Sequence, residues 1–172
     1  MTMTTQTRAF LQFLGKNPGI RARIRARPDK TILFAGKFFK DMWRELEALK
    51  KSDPQIADKD MISDILGSIA LSGQSFPNLL AWANSFGSVI PWEANGFIVW
   101  RALSGIYASN ATGLVSFYVG SKVAKETKVF AATEVHVIKR NPNVDQSAKD
   151  IADYYLRCIH NKNEAMNFGY IA

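Results

Sequence analysis

The chain is poor in the residues that build metal centres and cross-links: 172 residues contain one cysteine, Cys158, and two histidines, His136 and His160. One thiol excludes an internal disulfide and a cysteine-based zinc cluster, so no metal is expected. Long apolar runs are also missing. The stretch from Gly113 to Gly120 falls well short of the roughly 20 residues a bilayer helix needs, so no membrane span is expected. The start, Met1-Thr2-Met3-Thr4-Thr5-Gln6, has neither the basic nor the apolar region of a secretory signal peptide. Synthesis in a cytoplasm without such a signal is the expectation. No phosphate-cradling glycine loop, dinucleotide fingerprint, Gly-x-Ser-x-Gly elbow or His-Glu-x-x-His occurs, and no internal repeat appears.

What is present suits one globular domain, since 47% of residues are hydrophobic and 12% aromatic. The net charge of +7 is local. Residues 1–51 carry 12 Lys/Arg against 4 Asp/Glu, whereas the remainder carries 10 against 11. The densest part, Arg21-Ala22-Arg23-Ile24-Arg25-Ala26-Arg27, places four arginines on one side if the backbone is extended. That stripe suits a solvated linker, an acidic protein surface or nucleic acid, and composition does not choose among them.

Gly15, Asn17-Pro18-Gly19 and Pro28 break the first segment, which sets residues 1–27 apart as a basic, loose stretch before a domain at 28–172. Thr31-Ile32-Leu33-Phe34 reads as a strand or helix entry. Phe39, Met42, Trp43, Leu46 and Leu49 then recur at helical spacing, and residues 60–72 and 76–88 fit short helices. A helix is predicted from Asn95 to Asn110, with Trp100, Leu103 and Tyr107 on one face. Strands are predicted at Leu114–Val119 and Glu134–Ile138, a helix at 146–160 and a last strand at Asn167–Ile171. The expected fold is α/β (α+β): a helical part, 28–112, followed by a small, mostly parallel sheet with flanking helices, 113–172.

The residues Trp100, Ser104, Tyr107-Ala108, Gly120-Ser121, Phe130 and Glu134-Val135-His136 stand in an order and spacing that resembles the ADP-ribosyl cyclase/cyclic ADP-ribose hydrolase family. That family has a Trp-x-x-x-Ser helix and a Phe four residues before a Glu-Val-His triplet. Upstream, Ile32-Leu33-Phe34-Ala35-Gly36 resembles the family's Leu-Leu-Trp-Ser segment, with Phe34 replacing its tryptophan, and Trp92 resembles another family aromatic. The family's acidic pair would fall on Ser63-Asp64, with the first acid missing, and its disulfides are absent. The resemblance implies an ADP-ribosyl cyclase-like fold, a catalytic set of Glu134, Trp100 and Ser104, and substrate contacts from Phe34, Asp64, Trp92 and Phe130. It implies NAD as substrate and no cofactor.

These residue types suit that chemistry. Departure of neutral nicotinamide leaves positive charge on the ribose, which a carboxylate such as Glu134 stabilises without any general acid for the leaving group. Trp100 offers a flat face to the cationic ring, and Ser104, one helical turn on, can reach the same pocket. Each also has a structural alternative: Trp100, Phe34, Trp92 and Phe130 as core, Glu134 as a surface acid, Ser104 as a bystander. His136 would share a strand side with Glu134 in a structural or solvated role, and Cys158 reads as a packed thiol. A domain that empties a cell of NAD implies a secreted antibacterial or host-directed toxin, delivered by a dedicated system into a target cytosol and held by an immunity protein in its producer. The rival readings are a basic RNA-cleaving toxin and a non-enzymatic adaptor; the near-neutral second half speaks against nucleic acid.

Overall fold

The computed structural model describes residues 2–35, 39–119, 129, 133–160 and 169–171, without the side chains of 35, 39–43 and 169–171. Nine α-helices and three strands are found among these residues, in the order α1 (Thr5–Lys16), α2 (Pro18–Arg23), β1 (Thr31–Ala35), α3 (Phe39–Ser52), α4 (Pro54–Ala57), α5 (Ile62–Ser68), α6 (Leu79–Ser85), α7 (Gly96–Ser109), β2 (Val115–Val119), α8 (Val135–Arg140), α9 (Gln146–His160) and β3 (Gly169–Ile171). The sheet order is β1-β2-β3. β1 and β2 run parallel, with Thr31 opposite Val115, and β3 returns antiparallel along β2. The fold is therefore mixed α and β with a small sheet. The parallel ladder has five residue pairs and the antiparallel one three, and β1 lies within the stretch expected to be helical.

The N-terminal segment has its own local code. Thr4 caps α1 by accepting from the Thr7 N–H, Phe10 and Leu14 recur one turn apart on its buried face, and Pro18 opens α2 at a position where its missing donor costs nothing. The buried Asn95 at the start of α7 accepts from Thr4 N at 2.9 Å and from Thr7 Oγ1 at 2.6 Å. Phe10 packs edge-on against Trp82 and Phe86, with ring centres 4.9 and 5.4 Å away. Phe10, Leu14, Ile24 and Ala26 belong to the main core cluster. No break in the core falls at the boundary expected near residue 28.

The arginines of the stripe do not line up, because α2 rotates the first two. Arg21 donates to the Leu14 and Gly15 carbonyls at 2.6 and 2.8 Å, closing the end of α1. Arg27 grips Asp60 with Nε at 3.0 Å and Nη2 at 2.8 Å, and its backbone N–H adds a third bond. Partial burial works against ionisation of Asp60, yet Arg27 holds its carboxyl below the usual range.

The centre of the molecule is α7. Tyr107, fully buried, accepts from the Ile32 N–H at 3.3 Å, and its hydroxyl faces the Ile32 carbonyl at 3.1 Å and the Asp60 carbonyl. At the helix end, the Asn141 side-chain amide lies 2.9–3.2 Å from the carbonyls of Ala108, Ser109 and Ala111, tying the turn after α7 to the segment that leaves α8. The turn into β2 requires Gly113: its φ is +72°, and a Cβ there would sit 1.9 Å from Asp29 Oδ1, which accepts from Leu114 N.

One predicted strand is a helix. Glu134–Ile138 alternates in a way that fits an extended chain, but Val135 and Ile138, three apart, are the buried positions, and Lys139 and Arg140 supply a cationic last turn. Asn141 then anchors the exit to α7. Five residues carry too little pattern to separate the two periods, and contact with α7 and α9 decides.

Replacing Phe10 with Ala is expected to cost about 3–5 kcal/mol, read from denaturant unfolding, because the cavity opens between Trp82 and Phe86. A loose N-terminal segment would tolerate the change without loss.

Candidate active site around Glu134

The segment before α8 is drawn onto α7 by three consecutive features of the latter. Arg101 Nε donates to Thr133 Oγ1 at 3.0 Å. Gly105 lets that segment pass close by, since a Cβ there would meet Thr133 Cγ2 at 3.3 Å. Between them, the Ser104 hydroxyl hydrogen-bonds the Glu134 carboxyl. Thr133 and Glu134 form a π-helical turn, a local geometry common at functional sites.

The electrostatics of Glu134 are unusual. It is 7% exposed, and its Oε2 is buried with no hydrogen-bond partner among the described residues. Desolvation pushes its pKa up to about 8, with the Ser104 hydrogen bond acting against the shift. At neutral pH the carboxyl is therefore largely protonated. A cation arriving beside Oε2 would draw the proton off and leave a buried carboxylate facing the positive charge. The phenol of Tyr107 feels the same surroundings: burial chiefly, then the negative charges of Glu134, Asp60 and Asp64, raise its pKa.

The sequence-predicted residues separate into groups. Glu134 and Ser104 meet, both buried. Trp100, one turn before Ser104 on α7, is half-buried against the main core. Asp64, in the first turn of α5, is close enough to raise the Tyr107 pKa but is half exposed and paired with Lys50 at 2.5 Å. Phe34, on β1, packs against both apolar clusters. Trp92 is 38% exposed, rests on Phe97 with ring centres 5.5 Å apart and lies over Gly96, whose Cβ would meet its Nε1 at 2.3 Å. Gly96 opens α7 and Ser104 lies eight residues on, about 12 Å along the axis, so Trp92 is not brought to the Glu134–Ser104 pair. Phe130, Gly120 and Ser121 lie outside the described residues. Among those described, no cluster of His, Cys, Asp and Glu is placed to hold a metal.

The helical form of 135–140 changes the place of His136. On a strand it would share a side with Glu134; two residues along a helix it turns about 200° away. Arg101 and Gly105 escaped the sequence reading as site residues. Both stand close to Ser104 in the sequence, but only their contacts with Thr133 mark them.

Comparison with known proteins finds no matching family model, no matching curated protein and no matching solved structure.

The raised pKa fixes the sign of a stability change. Between the ordinary value of 4.5 and about 8, the folded chain holds a proton that the unfolded chain has lost. Stability therefore falls as pH rises through this window, by about 1.4 kcal/mol per unit at most. Chemical denaturation at pH 5 and 8 should show this fall in the wild type and its loss in Glu134→Gln, which should be the more stable protein at pH 8. Equal slopes for the two would show that Glu134 is not desolvated.

Proposed function

We propose that the chain is an NAD glycohydrolase that cleaves the nicotinamide–ribose bond, releasing nicotinamide and ADP-ribose with some cyclic ADP-ribose, and that it has an ADP-ribosyl cyclase-like fold. The observation that carries this reading is the buried Glu134 carboxyl, hydrogen-bonded by Ser104 and left with one oxygen unpartnered among the described residues. These two residues are the serine and glutamate that the family resemblance selects on sequence grounds, about 30 residues apart.

In this mechanism the substrate's own positive charge switches the site on. The nicotinamide ring of NAD is cationic, and stacking on Trp100 orients it while favouring ionisation of Glu134. As the glycosidic bond breaks, its electron pair leaves with nicotinamide and the positive charge passes to the ribose. Ionised Glu134, in a site from which water is excluded, stabilises that charge more strongly than it would in solvent. Ser104 holds the carboxyl in place through the hydrogen bond that already favours its charged form. Water attacks the ribose, and Glu134 accepts its proton. Phe34, Asp64 and Phe130 are assigned to substrate contacts, as the family resemblance implies. Trp92, before the N-terminal end of α7, is assigned to a more remote part of the dinucleotide.

An NAD-consuming domain of this kind suits a toxin delivered to a target cytosol and restrained in its producer by an immunity protein. The exposed Ile90 and Trp92 give such a partner an apolar contact.

Purified protein incubated with NAD should release nicotinamide, detected by chromatography, and Glu134→Gln should lose at least about a thousandfold in rate while remaining folded. Intact NAD across the pH range would sink the reading. The kcat/KM profile should rise with pH and level off near the Glu134 pKa of about 8, because the free enzyme must lose that proton. Ser104→Ala, which removes the hydrogen bond favouring the anion, should shift this limb to higher pH; an unmoved limb would assign the titration to another group.

A further inference from the structure

α8 carries a second feature, independent of the NAD reading. A groove of about 490 Å³ runs between α8 and α9, where His136, Lys139 and Arg140 face Arg157 and His160. Leu156 forms its buried apolar floor. The chain's two histidines therefore converge on one concave surface, within a half of the sequence that is otherwise near neutral. Asp153, the acid in the lining, is tied to Lys139 at 2.5 Å, which holds its carboxyl below the usual range. Arg140 and Arg157 bring one guanidinium from each helix to the groove.

Helix dipoles account for part of this gathering: Lys139 and Arg140 end α8, and Arg157 and His160 end α9. They do not account for His136 in the first turn of α8, nor for the turning of both cationic faces toward one groove with an apolar floor. Guanidinium groups from two helices suit a phosphate, which each can hold in a bidentate manner, and the floor suits a flat ring. The volume matches the lower range of small-molecule sites.

We propose that the groove between α8 and α9 binds a small phosphate ester of mononucleotide size, with Arg140 and Arg157 as the phosphate clamp. Leu156 contacts the organic portion, and His160 donates a further hydrogen bond to a phosphate oxygen. Glu134 precedes α8 and does not line the groove, so this site is distinct from the buried carboxyl.

The test is titration of the full chain with AMP, inorganic phosphate and adenosine, followed by calorimetry and by amide chemical shifts. AMP should bind more tightly than phosphate, adenosine should fail at the same concentrations, and the shifts should fall on α8 and α9. The double variant Arg140→Ala/Arg157→Ala should lose at least about tenfold in AMP affinity, while Glu134→Gln should keep it. Should the double variant fail to fold, the doubly conservative Arg140→Lys/Arg157→Lys protein, which keeps the charge and loses the fork, replaces it with the same expectation of weaker binding. Equal affinity for adenosine and AMP, shifts centred elsewhere, or undiminished binding by the folded variants would overturn the proposal. So would a single-stranded RNA oligomer that bound through the same arginines more than about a hundredfold tighter than AMP, since the groove would then track a nucleic-acid backbone.

Discussion

The structure depends on satisfying one buried hydroxyl. Tyr107 projects from α7 to a point where the backbone of β1 and the segment before α5 meet, and its oxygen serves groups from both. In a low-dielectric interior those contacts are costly to lose, because each partner would be left desolvated and unpaired. The position of α7 relative to the sheet follows from them. Asn95 at one end of the helix and Asn141 beyond the other apply the same device, each a buried amide that gathers backbone or hydroxyl groups from a distant segment. With α7 fixed at both ends and in its middle, Ser104 has a defined place to present.

That rigidity allows an acid to be kept where it would not choose to sit. Glu134 gains one hydrogen bond and forfeits hydration, and the surrounding core contributes enough to hold the arrangement. A well-packed apolar residue at this position would stabilise the fold more. Groups that oppose stability while being carefully positioned are where function is to be sought. By contrast, the Arg27–Asp60 and Lys139–Asp153 pairs perturb carboxyl groups in the favourable direction and at the surface, as ordinary ties between segments.

The sequence made the longer elements legible because they carry two or more turns of periodic pattern. The helices near 39–52, 96–109 and 146–160 and the strand near 115–119 are all found where the apolar spacing puts them. What escaped were elements whose form is set by partners. Val135 to Ile138 alternates like a strand and becomes a helix because Asn141 and the flank of α9 receive it that way. The first 27 residues read as broken and basic, yet Phe10 and Leu14 suffice to seat α1, and two of the four arginines are taken up by backbone carbonyls and by Asp60. Within the site, the Ser104–Glu134 pairing followed from motif spacing. The contacts of Arg101 and Gly105 with Thr133 required coordinates, since nothing in a single sequence says which side chain will lie where a Cβ on that glycine would crowd it.

The parallel pairing of β1 with β2 has a further consequence, for the order of events on folding. Thr31 must find Val115 about 80 residues later in the chain, after five helices have been threaded between them. Closing so long a loop before its contacts are in place is entropically unfavourable, and chains dominated by such distant pairings fold slowly. The local helices can form early, whereas the β1–β2 ladder and the Tyr107 anchor that depends on it complete the structure. Glu134, seated through α7, loses its water only at that stage, so the chain reaches a nearly finished framework before the carboxyl acquires its altered chemistry.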